Sequence, residues 1–278
     1  MTLWLTDLAD VLRGRGLDVV EIDGWETRSY PKWPGYEVMP NTVMVHHTAS
    51  KATVANDLNY ILTMSLAPIC NLYLDRGGVF HVVAAGRSVT NGEGHDWWGG
   101  GTPDNMMNHH AISIEAANDG VGEPWPLVQT NAYVTGCAAL CNGYSIPVDH
   151  VRAHWEWTTR KIDPAGHPVG RPAGESPWAA GKASWDMDAF RAAVSNQMED
   201  DMTTARLVRF NGYVNVFLLG GGGPAQPVGD TDYAHLEALG VVKVFVDHHQ
   251  ELLSVCRQAG LDPANPDELV PGGPTDRF

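Results

Sequence analysis

The chain has 278 residues, 44% hydrophobic and 18% charged, which supplies enough apolar side chain for a core of ordinary size. Its net charge of −15, from 18 Lys and Arg against 33 Asp and Glu, disfavours a protein held on nucleic acid by phosphate contacts or on an anionic membrane surface. No stretch approaches the roughly 18 apolar residues of a membrane span. The opening segment, with Asp7 and Asp10 and no basic start, does not read as a signal peptide, so the expectation is a soluble chain made in the cytoplasm, with any export by another route.

In chain order, Leu5, Leu8, Val11 and Leu12 predict a helix over 4–13, stopped by Gly14 and Gly16, and a strand over 17–22. A β-branched run predicts a strand over 42–46. Val54, Leu58, Ile61 and Leu62 share one face of a helix over 52–64. Strands are expected over 71–74, 78–83 and 111–116, a helix over 130–141, a short strand over 148–154 and a helix over 184–197. This interleaving lacks regular βαβ spacing and predicts an α/β fold with a central mixed sheet flanked by helices. Past residue 198 the pattern breaks; strands over 206–219 and 241–247 and a helix over 250–259 predict a small α+β C-terminal unit. The expected organisation is a 1–29 helix–strand leader, a 30–198 catalytic domain and a 199–278 accessory domain.

Ten Trp and 30 Gly suit clefts and tight turns better than long helices. Cys137 and Cys141, four apart in an apolar helix, are poorly placed for a disulfide and read as buried free thiols. The chemistry lies elsewhere. His154 and Asp163, nine residues apart and joined by a loop, can turn toward one point, and His46 ends an upstream strand. Two His and one Asp are a ligand set for a catalytic zinc with one position left for water. Strand alternation places Ile112 and Ile114 on one face and Ser113 and Glu115 on the other. A carboxylate there faces a cleft or a partner, or else the strand has a solvent face.

Val45-His46-His47-Thr48-Ala49, Asp75-Arg76-Gly77-Gly78 with Ala85-Gly86-Arg87, Ile112-Ser113-Ile114-Glu115, and Ala153-His154 with Lys161-Ile162-Asp163-Pro164 occur in this order. Together they resemble the zinc-dependent N-acetylmuramoyl-L-alanine amidases of the type-2 family, relatives of peptidoglycan-recognition proteins, over about residues 40–165. The block from Leu12 to Arg28 resembles, more loosely, the leader of phage endolysins aimed at actinobacterial hosts. The resemblance implies Zn²⁺ held by His46, His154 and Asp163, Glu115 as general base, and Lys161 steadying charge on the substrate carbonyl oxygen. The family's Tyr before the Arg-containing turn falls near Cys70, which increases the weight on Glu115. The implied partner is bacterial peptidoglycan. The implied setting is the host cytoplasm until a holin opens the membrane, then the cell wall.

Other candidates read from the residues are Asn71 for the substrate backbone, His110 at the cleft rim, and Trp97 and Trp98 as sugar-stacking rings in the Gly92–Gly101 loop. His47 points to the opposite strand face from His46 and reads as a support or core residue. Two further readings stand beside the hydrolase: a module that recognises peptidoglycan without cutting it, and a cytoplasmic amidase of muropeptide recycling. Retention of all three candidate ligands with Glu115 and Lys161 favours the enzyme.

Overall fold

Two segments, Thr42–His47 and Ala111–Ala116, set the architecture, because neither presents a clean solvent face: the first is buried at every position, and in the second even Ser113 is fully buried. Strands covered on both faces belong to parallel sheets with helices above and below. The computed structural model describes residues 2–166, 178–179 and 183–203, with strands at 206–210, 216–219, 226–228 and 242–246. It divides the chain into two units, Met1–Ser195 and Asn196–Phe278.

In the first unit the strands are β1 (Val19–Glu21), β2 (Thr42–His47), β3 (Leu72–Leu74), β4 (Phe80–Val82), β5 (Ala111–Ala116) and β6 (Val151–Ala153). The helices are α1 (Leu8–Arg13), α2 (Val54–Thr63), α3 (Met107–His110), α4 (Leu127–Tyr144), α5 (His154–Trp157) and α6 (Met187–Thr203), the last running past the boundary between the units. The sheet order is β1-β4-β3-β5-β2-β6, with β3–β4 antiparallel and the other neighbours parallel. This is the expected mixed sheet flanked by helices. The 1–29 leader is not separate: β1 forms the sheet edge beside β4, and α1 packs on α4.

The sequence explains the layers. On one face, α2 starts at Thr53, whose hydroxyl accepts from the Asn56 N–H. It packs Val54, Leu58, Ile61 and Leu62 on Cys70, Tyr73, Val83 and Ala117. On the other face, α4 presses Gly136 onto the Phe80 ring, where a Cβ would lie 2.4 Å from the ring tip. The aromatic residues Trp125, Tyr133, Trp178, Trp185 and Phe190 then interlock with centroids 4.7–6.4 Å apart. Five of the ten tryptophans counted toward clefts, Trp25, Trp125, Trp157, Trp178 and Trp185, are instead buried core. The expected 130–141 helix is longer because Pro126 precedes its first turn and Ser145, at φ 55°, closes it in the left-handed region. The expected 148–154 strand is shorter, being a 3₁₀ turn at Val148–His150, then β6, with His154 already the first residue of α5. Cys137 and Cys141 are buried free thiols, as is Cys70.

In the second unit, β7 (Arg206–Phe210), β8 (Val216–Leu219), β9 (Gln226–Val228) and β10 (Val242–Val246) form a sheet of order β10-β7-β8-β9. The segment read as one strand over 206–219 is an antiparallel β7–β8 pair. The helix expected over 250–259, His248-His249 and Cys256 lie outside the described residues.

Candidate active site

Parallel register builds the site. His46 of β2 pairs with Glu115 of β5, and Glu115 with Tyr73 of β3, so these three side chains share one face. Val45 pairs with Ala153 at the end of β6, which sets His154 as the next step of the same row. His154, His46, Glu115 and Tyr73 thus stand side by side across the C-terminal edge of four strands, with α2 over the Glu115 and Tyr73 end of the row. Among the described residues His46, His154 and Asp163 form one group of potential metal ligands, with ligand atoms within 4.8 Å of one another. Both His46 Nδ1 and His154 Nδ1 lie 3.0 Å from Asp163 Oδ2.

Asp163 comes from a loop, and two residues outside the row hold that loop. The Ala165 N–H donates to His47 Nδ1 (2.9 Å), and the Ala165 carbonyl accepts from Trp125 Nε1 (2.9 Å). The backbone that presents Asp163 is therefore tied to the strand that presents His46, and His47 is the support that its strand position implied. The backbone of His46 is pinned in turn by Tyr133 of α4, whose hydroxyl accepts from the His46 N–H at 3.0 Å.

The electrostatics separate the groups. Burial first, then the neighbouring His154, lowers the His46 pKa to about 4, so the ring is neutral near pH 7 and its lone pair is available. Although burial opposes it, hydrogen bonding to His154 and His46 holds the Asp163 carboxyl far below the usual carboxylate range. Glu115 goes the other way: burial, then the Asp163 charge, raises its carboxyl to about 8. Its Oε1 accepts from Thr90 Oγ1 at 2.8 Å, while Oε2 has no hydrogen-bond partner among the described residues. Two imidazoles and one ionised carboxylate, buried and convergent, are a donor set that fits a divalent transition metal.

Glu115 also lines a cleft of about 430 Å³, walled by Thr48–Ser50, Ala52, and Asn56, Asp57, Tyr60 and Ile61 of α2. The Asp75-Arg76-Gly77-Gly78 motif supports this wall. The Arg76 guanidinium pairs with both Glu123 oxygens (2.6 and 2.9 Å) and donates to the Ser50 carbonyl at 2.7 Å. Gly78, at φ 84°, leaves no room for a Cβ, which would lie 2.9 Å from the Val128 carbonyl oxygen. Lys161 is exposed on the 158–162 loop, close enough for its charge to favour the ionised form of Glu115.

Not all the candidates meet here. Asn71 is fully buried: its Oδ1 accepts from Tyr36, Ser88 and the Ser113 N–H, and its Nδ2 donates to Ala84 and Gly86. With its amide saturated, it ties β3 to β5 and is not placed to bind substrate. His110 precedes β5, five residues or about 16 Å of strand from Glu115, at the opposite sheet edge. Trp98 packs on the Met44–Trp157 cluster with Arg152 4.7 Å above its ring, so it is a packing residue. Trp97, 68% exposed and 4.5 Å from the His95 ring, is the one tryptophan of the pair that presents a free face. Cys70 is buried beneath α2, and the tyrosine in the row of His154, His46 and Glu115 is Tyr73, whose hydroxyl donates to Asp57 at 2.9 Å. Thr90, Asn91, Trp125 and Tyr133 escaped the sequence reading, since no motif or period marks a residue that acts through its neighbours.

Residues 36–166 match the family described as N-acetylmuramoyl-L-alanine amidase. No curated protein is similar enough in sequence to match the chain. Among solved structures, PlyL is 22% identical, over 53% of this chain and 86% of that one, with a TM-score of 0.40. The endolysin N-acetylmuramoyl-L-alanine amidase LysCS from Clostridium intestinale URNW is 16% identical, over 64% and 95%, with a TM-score of 0.42. An AmpD derivative is 16% identical, over 64% and 93%, also at 0.42. The stretch that matches this family holds His46, His154, Asp163 and Glu115.

Proposed function

We propose that this chain is a zinc-dependent peptidoglycan hydrolase that cleaves the amide between N-acetylmuramic acid and the L-alanine of the stem peptide. The observation that carries the reading is the convergence of three buried donor atoms beside a carboxyl group whose second oxygen is unpartnered, at the head of a cleft. His46, His154 and Asp163 would hold the ion. When bound, zinc supplies Lewis acidity toward the amide carbonyl and lowers the pKa of water from about 15.7 to roughly 7.

The chain's own groups do the rest. Glu115 Oε2 takes a proton from water and returns it to the departing amine nitrogen, an exchange suited to a carboxyl whose pKa lies near the working pH. Thr90 holds the other oxygen, so the free one keeps its aim. Lys161 offsets charge developing on the carbonyl oxygen, and the stem peptide lies along Thr48–Ser50 and α2.

The test is digestion of purified peptidoglycan by native and chelator-treated protein, with mass spectrometry of the soluble products. Stem peptides beginning with L-alanine, lost on chelation and restored by zinc, are the expected result. Intact wall with bound protein would replace the hydrolase by a recognition module. The biological setting in this reading is a phage endolysin of an actinobacterial host, kept in the cytoplasm until a holin releases it to the wall. Expression inside such a host should lyse cells only when a holin is co-expressed.

A further inference from the structure

Each neutral imidazole carries one ring proton, and whichever nitrogen holds it cannot also ligate a metal. His154 Nε2 lies 3.0 Å from the backbone carbonyl oxygen of Asn91. That oxygen can only accept, so Nε2 holds the proton and Nδ1 turns its lone pair toward Asp163. His46 Nε2 lies 3.0 Å from Oδ1 of the same Asn91. The amide is oriented by its other end, where Nδ2 donates to Ser113 Oγ at 3.1 Å, which leaves the oxygen facing His46.

We propose that Asn91 is a positioning residue that holds both His46 and His154 as Nε2–H tautomers, so that two Nδ1 lone pairs and the Asp163 carboxylate converge on one cation. Asn91 is itself fixed. It is 1% exposed, its N–H donates to Asn108 Oδ1 at 3.0 Å, and the next carbonyl, Gly92, accepts from Trp157 Nε1 at 3.2 Å. One residue thereby aims ligands from two different elements, the side chain serving β2 and the main chain serving α5. Two lone pairs each 3.0 Å from a carboxylate oxygen require positive charge among them, and a metal ion supplies it where a ring proton is absent. The assignment of the cation rests on the reading under Proposed function; the tautomer assignment does not.

The first test uses the native full-length chain, zinc-free at neutral pH, with long-range proton–nitrogen NMR correlations of the His rings. Both rings should show a protonated Nε2, donated to Asn91; a bare Nε2 on His154 or His46 would overturn the proposal, whatever the protein's activity. The second is zinc affinity by competition with a chromophoric chelator. Asn91→Ala should weaken binding by about 10–100-fold and release His46, not His154, into a mixture of tautomers. Asn91→Asp keeps an acceptor for His46 Nε2–H and should restore affinity to within a few fold. Native affinity in a folded Asn91→Ala variant would overturn the proposal. Absence of zinc binding in the native chain would instead defeat the zinc reading and leave the tautomer result standing.

Discussion

The two edges of β2 and β5 differ in what they ask of their residues. At the C-terminal edge, His46, Glu115 and the following His154 are buried polar groups whose pKa values move in different directions or whose ring nitrogens are all engaged. At the N-terminal edge, the Asn41 N–H donates to the His110 carbonyl in an ordinary backbone bond (2.9 Å), and Trp98 packs on Met44 and Met107. The residue types are similar at both, histidine and aromatic. What separates them is the side on which parallel strands end, since ligands of such sheets lie beyond the carboxyl ends, where loops diverge. A histidine at the start of β5 supports the sheet, and a carboxylate five residues later can act on a substrate.

The sharpest way to break this contrast is to delete a ligand. His154→Ala or Asp163→Ala should abolish metal retention and hydrolysis together, checked by metal analysis after dialysis and by release of stem peptides. Glu115→Gln should keep the metal yet lower turnover about 10²–10⁴-fold. The same variant reads out burial of the carboxyl. Because its folded pKa is raised to about 8 from 4.5, Glu115 contributes stability fully present below pH 4.5 and lost as pH rises through 8. Metal-free Glu115→Gln should therefore unfold at a higher temperature than the native chain above pH 8, the advantage shrinking toward pH 4.5. Asp163, shifted downward, works in the opposite sense and withdraws stability as the pH falls through the acidic range.

Smaller effects sharpen the contrast. His47→Leu removes the acceptor for the Ala165 N–H and frees the Asp163 loop, so zinc affinity should fall about tenfold while the fold persists, read by chelator competition. At the other edge, His110→Ala should leave kcat within about twofold of native, since it lies about 16 Å of strand from Glu115. A large loss of kcat there would mean that the edges are not functionally distinct. A fragment of residues 30–198 is expected to be less stable than one of residues 1–198, because it lacks the edge strand β1 and the α1–α4 packing. The longer fragment should hold metal and lose affinity for intact walls if 199–278 targets them, as read by wall pull-down.

Much of this was legible in the chain. The strand at 42–46 followed from its β-branched composition, and the alternation at 111–116 and the helical face of 52–64 from period. His46, Glu115, His154 and Asp163 stood out as residue types that are costly to bury without purpose. Asn71 and Trp98 misled for the same reason in reverse, since a polar amide or a large ring beside a motif reads as functional until its partners are known. Asn71 turned out to have five partners, and Trp98 a guanidinium and a packed cluster. Thr90 and Asn91 gave no signal, because a side chain that acts by hydrogen-bonding a neighbour distant in sequence has no spacing rule to reveal it.

The sequence by itself determined the periodic elements and the inventory of donors, because periodicity and residue chemistry are local properties. Only the tertiary structure decided the rest. Parallel register put His46 beside Glu115, the Ala165 clamp brought Asp163 to both histidines, and Asn91 chose which nitrogen of each ring faces inward. Those choices depend on which strand ends meet at one edge and which loop crosses above them, and such contacts between distant segments come into being only when the chain closes on itself.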